Sequence, residues 1–273
     1  MKKLLNIILL VTTVVGVFAV LTAYKGSNTQ RIGIGYGIVH KQYIGESVVF
    51  LNNSGKLTDI LFEEYFTPAQ FTHEEAGKTF PENADIIEAG SKYIKYIKIA
   101  GHLFTGAANE EGNAVVYSGK VNGELVSDLT AWLKDDSRTQ ADYKWYIDAC
   151  KNETVKYMRD ASAELDVPVS YYNSNTMLQK TSSDYWGNSG TSYTIGIGHP
   201  NNMSAIKSWT KKNMDNAAWT NELQAGDTPK VDGIVQLNSG GQISAITGAT
   251  LSGDTWQYLN VIKRAYQAAK QNN

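Results

Sequence analysis

The sequence predicts an α+β protein in which antiparallel strands carry flanking helices, set after an N-terminal membrane anchor helix. Three observations predict it. A strand, tight turn and strand are legible between Gly45 and Phe62; helix-spaced apolar residues follow Ser252-Gly253-Asp254-Thr255; and Leu4 to Ala23 is an almost unbroken apolar run.

The apolar run comes first in the chain. Lys2 and Lys3 precede it, Asn6 is its one strongly polar member, and its length matches the ~20 residues a bilayer-spanning helix needs. A cleavable signal peptide is the alternative, but its apolar part runs ~7–15 residues and ends in small side chains at the cut, whereas Leu21 lies three before a cut after Ala23. Residues 1–24 are therefore read as a membrane anchor or signal segment, 25–30 as a short polar tether, and 31–273 as a region outside the cytoplasm. The single cysteine, Cys150, permits no intramolecular disulfide and no cysteine-based metal site or redox pair. A formal net charge of -2 speaks against nucleic acid, whose binding depends on clustered Lys and Arg.

Glycines 33, 35 and 37 alternate with Ile34 and Tyr36. Ile38 stands where a dinucleotide fingerprint needs its third glycine, so the segment reads as an irregular strand or a close-packed edge. Gly45 to Leu51, a turn at Asn52-Asn53-Ser54-Gly55, and Lys56 to Phe62 make the most secure hairpin. A polar, loop-rich region over about 70–89 gives way to a strand pattern at Tyr93 to Ile99. Leu125 to Trp132 and Ala141 to Met158 predict helices, the second facing the core through Trp145, Ile147, Ala149, Val155 and Met158. Val167-Pro168-Val169 and the polar stretch after it mark a lobe boundary or long loop near 160–190. Met203 to Met214 predicts a helix with Ile206 and Trp209 inward.

Few side chains suggest acid–base or metal chemistry. His40, His73, His102 and His199 show no zinc-ligand spacing and read as structural or surface residues. Glu63-Glu64 and Glu74-Glu75 are neighbours that a strand would turn to opposite faces, which predicts solvated acidic patches rather than a catalytic pair. No Gly-x-Ser-x-Gly elbow is present.

The chemistry concentrates at Ser244-Ala245-Ile246-Thr247-Gly248-Ala249-Thr250-Leu251-Ser252. Small residues precede Thr250, leaving room for a close approach, and Ser252 or Asp254 can cap the helix carried by Tyr258, Leu259, Ile262, Ala265, Tyr266 and Ala269. A helix N-terminus favours phosphate through unpaired N–H groups and its dipole. From spacing alone the pattern reads first as an ordinary Gly-containing turn capped by Ser or Asp. Leu51 to Ile60 and Leu237 to Ile246 also echo one another in turn and apolar positions, by duplication or by coincidence.

Thr247-Gly248-Ala249-Thr250 resembles the [S/T]-G-A-[S/T] flavinylation motif of the FMN-binding domain family. That family includes the C subunit of sodium-pumping NADH:quinone oxidoreductase, the G subunit of the Rnf complex and extracellular electron-transfer flavoproteins of Gram-positive bacteria. The hairpin and the following Glu64-Tyr65-Phe66-Thr67-Pro68-Ala69 are similar to the family's opening, whose Glu-Thr-Pro-Gly segment lies near the flavin. Phe66 and Ala69 depart from that segment, and Ser244 replaces the family's Asp three residues before the first hydroxyl.

The resemblance implies one FMN per chain, moved from FAD by a flavin transferase and held by a phosphoester on Thr250, with Thr247, Gly248, Ala249 and Ser252 shaping the site. It implies no catalytic residue of the chain's own. Trp256 and Tyr258 are positioned to flank the ring or to pack the helix face. The implied function is a membrane-anchored extracellular electron carrier between a membrane dehydrogenase or quinol and an extracellular acceptor. A flavin-dependent extracellular reductase and a non-redox surface-binding protein of similar fold are the alternatives.

Overall fold

A computed structural model describes residues 30–40, 42–70, 86–88, 92–135, 137–168, 179–180, 199–214, 222 and 255–272. The anchor, the tether to residue 29, and the whole Ser244 to Ser252 stretch with its echo partner lie outside the described residues. No described helix is long and apolar enough to cross a membrane. The described chain is a mixed α+β fold of antiparallel sheets with flanking helices.

The first sheet has the order β1-β2-β3-β12, from Arg31–Val39, Tyr43–Leu51, Leu57–Phe66 and Gln179–Lys180. The predicted hairpin is β2 and β3. Its turn closes because Gly55, at φ 77°, takes the left-handed conformation and donates its N–H to the Asn52 carbonyl at 2.8 Å, while the Asn52 side chain accepts from the Lys56 N–H at 2.9 Å. The glycine-alternating segment is β1, a regular strand and, among the described residues, the edge of this sheet: it pairs with β2 without a break from Arg31↔Leu51 to Val39↔Tyr43.

The second sheet runs β11-β10-β6-β7-β8-β9. Its strands are Glu164–Pro168, Val155–Met158, Tyr96–Ile99, His102–Ala108, Val115–Val121 and Glu124–Val126. Between the sheets in sequence, Pro68–Gln70 forms one 3-10 turn, and β4 (Ile86–Glu88) pairs with β5 (Lys92–Ile94) inside or beside the region expected to be loop. The expected Tyr93 to Ile99 strand is thus two strands, parted at Lys95, whose carbonyl accepts from the Gly106 N–H at 2.6 Å.

Two expected helices are shorter than the sequence suggested. Glu124–Val126 is strand after a tight turn with Asn122 and Gly123 at positive φ, and helix α1 starts only at Leu129, where Asp128 accepts from the Thr130 and Ala131 N–H groups. Helix α2, Gln140–Lys151, opens on a Thr139/Asp142 capping box and stops at Asn152. Glu153 then takes φ 53°, and Val155 and Met158, expected on the helix, belong to β10 instead. Helical spacing carried Val155 and Met158 into the apolar series by coincidence; they are buried as strand residues. Helix α3, His199–Asn213, buries Ile206 and Trp209 as its spacing predicts, and helix α4 is Thr255–Gln271.

A continuous apolar core joins both sheets and all but the outer surfaces of the helices. Because strand side chains alternate, β1 to β3 present two different faces. Val39, Tyr43 and Phe66 share one face with glycines 33, 35, 37 and 45 and with Phe62 and Glu64; Tyr36, Glu46 and Glu63 share the other. Helix α4 covers the first face, and α2 lies against the second.

Candidate functional site

Helix α4 is the described element nearest in sequence to Thr250, and its seating decides what the motif can lead into. Its inner side is apolar: Tyr258, Val261, Ile262, Ala265 and Ala269 are all buried. The glycines of β1 explain how closely it sits. A Cβ on Gly33 would lie 2.0 Å from the Ala265 carbonyl oxygen, and one on Gly35 would lie 2.3 Å from the Ala265 nitrogen. Any larger side chain would collide with helix backbone, so the alternating glycines form a shelf for α4.

Polar contacts fix the helix along that shelf. The Tyr258 hydroxyl donates to Glu64 Oε1 at 2.8 Å, and its ring packs 5.4 Å from that of Phe62. Glu64 is therefore fully buried, not part of a solvated acidic patch, because the strand turns it toward α4; Glu63, its neighbour, faces the other way. Arg264 donates from Nη1 to the Tyr36 carbonyl at 2.9 Å and grips Glu222 through Nε and Nη2 at 2.5 and 2.7 Å. This two-pronged contact holds the Glu222 carboxyl below its usual range.

The outer side of the first two turns is different. Trp256 and Lys263 are seven positions apart, about two helical turns, so both share the side away from the glycine shelf, with Asn260 between them. Residues 257 to 263 are all buried, which leaves no solvated stripe on this half of the helix. Lys263 is 3% exposed, yet its Nζ has no hydrogen-bond partner among the described residues, and neither has the buried Nε1 of Trp256. Burial pushes the Lys263 ammonium below its usual range, and the Glu222 carboxylate offsets this in part.

The far face of the same strands holds a buried charge of the opposite kind. Glu46 accepts from Lys151 Nζ at 2.5 Å and from the Tyr65 hydroxyl at 3.4 Å. Burial, and then the Glu46 charge, push the Tyr65 hydroxyl far above its usual range. Burial likewise pushes the Cys150 thiol up, consistent with a packing role. Among the described residues no group of three or more His, Cys, Asp or Glu could hold a metal ion.

The structure thus places the helix that follows the motif, while Thr247, Gly248, Ala249, Thr250 and Ser252 lie outside the described residues. Of the two aromatics, Tyr258 packs inward, and Trp256 stands on the outer side, half-buried. Glu64 of the Glu64 to Ala69 segment meets α4 through Tyr258. Lys263 was not legible beforehand: with Trp256 and Asn260 it occupies the polar side of the helical wheel, which reads as a solvent face until burial is known. Comparison with family models, curated proteins and solved structures returned no significant match.

Proposed function

We propose that this chain is a membrane-anchored extracellular flavoprotein that carries electrons through one FMN, joined by a phosphoester to the Thr250 hydroxyl. The observation that carries the reading is Thr247-Gly248-Ala249-Thr250 placed five residues before a helix whose seating on the sheet is dictated by glycine. Attachment would break the pyrophosphate bond of FAD, join the flavin phosphate to Thr250 Oγ1 and release AMP, with the hydroxyl proton passing to solvent or to the transferase.

Two described side chains have the chemistry such a ligand needs. FMN is anionic and rich in hydrogen-bond acceptors, and Lys263 and Trp256 offer a buried cation and a buried N–H that lack partners among the described residues. These two side chains would hold it, and bound FMN would supply reversible one- and two-electron transfer. The chain's own task is then to fix the cofactor and exclude water. Covalent attachment suits an exported protein, since a dissociated cofactor outside the cell is diluted and lost.

The test is the mass of the full chain made alongside a flavin transferase and denatured before measurement. The expected result is an increase of one FMN phosphoester that fragmentation maps to Thr250. Thr250→Ala should abolish it while leaving the fold intact, since the helix begins only at Thr255 and Thr250 lies upstream of its cap position. Denaturation-resistant flavin in that variant would remove Thr250 as the acceptor; an unmodified wild-type mass beside a modified control substrate would remove the carrier reading.

A further inference from the structure

Strand β1, the edge of the first sheet among the described residues, has none of the common defences of an edge. Natural edge strands are kept from pairing with another chain by brevity, proline, bulges or charge. Strand β1 is nine residues long, pairs with β2 without a bulge, contains no proline and carries its one charge, Arg31, at its very start. In an antiparallel pair the backbone groups of alternate residues face the partner strand and those of the others face away. Tyr36 bonds outside the pair through both its N–H and its carbonyl, so the outward set is Ile32, Ile34, Tyr36 and Ile38. Repeating about every 6.8 Å along the strand, these residues offer the ladder that a further strand would need.

Side chains occupy that ladder at two points. The Gln140 amide accepts from the Tyr36 N–H at 2.7 Å and donates to the Tyr36 carbonyl at 2.9 Å, the same two bonds that a residue of a neighbouring strand would make. Arg264 Nη1 donates to this carbonyl as well, at 2.9 Å, so both of its lone pairs are taken. Nearer the start of the strand, Asn272 Nδ2 donates to the Ile32 carbonyl at 2.9 Å. Gln140 opens α2 behind the Thr139/Asp142 capping box, whereas Arg264 lies on α4 and Asn272 just past its end. Helices on opposite faces of the sheet thus reach round to one edge. We propose that Gln140, Arg264 and Asn272 form a cap that keeps β1 from accepting a strand of a second copy of this chain. With Tyr36 blocked, ladder bonds remain only at Ile34 and the Ile32 N–H on one side and at Ile38 on the other, too few to hold a strand. Gln140 is the centre of the cap, because it alone both donates and accepts.

The experiment compares the full wild-type chain, in detergent, with Gln140→Met and with the double variant Gln140→Met/Ile34→Lys. The first keeps the side chain's length and removes both bonds; the second adds a charge at the exposed Ile34 of the uncapped edge. Sedimentation over a range of concentrations gives the protein mass of each particle, and amide hydrogen exchange reports on Tyr36. Gln140→Met should shift with concentration to a dimer of the wild-type species or larger, while the double variant keeps the wild-type mass. In the double variant, whose edge stays unpaired, the Tyr36 amide should exchange about tenfold faster than in the wild type, for the loss of one hydrogen bond. A Gln140→Met chain that keeps the wild-type mass at every concentration overturns the cap. Association that Ile34→Lys does not reverse runs through another surface and overturns it too, as does a Tyr36 amide that exchanges equally in the wild type and the double variant. Should Gln140→Met not fold, Gln140→Ala replaces it in every arm.

Discussion

Glu46 and Lys263 are buried charges on opposite sides of the same three strands, and their surroundings differ completely. Glu46 has Lys151 within 2.5 Å and the Tyr65 hydroxyl beside it; the Lys263 amine has no hydrogen-bond partner among the described residues. The first arrangement satisfies itself and joins α2 to the sheet. The second is incomplete within the described fold. A buried charge with its partners in place is part of how the chain folds, whereas one without them carries a desolvation cost that the described fold does not offset.

The comparison breaks most severely if α4 loses its shelf. Gly35→Val would drive a branched side chain into the Ala265 nitrogen and Val261 carbonyl, which a Cβ alone would approach to 2.3 and 2.6 Å. A loss of about 3 kcal/mol is expected in urea unfolding, at the upper end for overpacking because the obstacle is helix backbone. A loss under about 1 kcal/mol would show that α4 can lift from β1 freely.

Removing the cation beside Glu46 tests the paired side. Lys151→Met leaves a carboxylate whose side chain is only 8% exposed without its counter-charge. The expected loss is about 2 kcal/mol, below the range for a wholly buried pair because Lys151 itself is 39% exposed. The same Lys-to-Met exchange at position 263 is expected to have no destabilising effect on the flavin-free chain. Equal losses at the two positions would erase the distinction drawn between them.

The smallest effect belongs to Glu222, which sits between the two cases as a paired but partly exposed carboxylate. Arg264 holds its carboxyl low, so the pair stabilises the fold above the unfolded-state value near pH 4.3 and stops doing so as pH falls through the folded-state value. With the Glu222 side chain 37% exposed, solvent screening limits this to about 0.5 kcal/mol. Glu222→Gln should therefore melt slightly earlier than wild type at neutral pH and converge with it in acid. Parallel melting curves across that range would mean that the contact contributes nothing.

The hairpin at β2 and β3 was legible because its turn demands Asn and Gly chemistry that few other conformations require, and α3 and α4 were legible from long runs of helical spacing. Glycines 33, 35 and 37 announced close packing but not the partner, which lies more than two hundred residues away in the chain. The ends of α1 and α2 were misplaced where local periodicity and tertiary pairing disagree: Val155 continues a helical pattern, but β6 offers it a strand to pair with at Ile99. At the candidate site, Thr250, the proposed acceptor, and the helix after it were visible as a motif and an amphipathic period. The burial of Lys263 and the Tyr258 to Glu64 contact were not, since burial depends on which elements meet and not on the residues of one helix.

The glycine shelf also sets an order of events. Asn272 reaches across from the end of α4 to the Ile32 carbonyl, linking positions 240 residues apart. A ribosome releases β1 more than two hundred residues before it has made the helix that must lie on it, so one side of the first hairpin stays bare over that interval. The hairpin can form early, but its covering arrives much later, by closure of a very long loop. Until then the nascent β1 presents an open glycine face, and the interval between its emergence and the arrival of α4 is when this chain is most vulnerable to association with another.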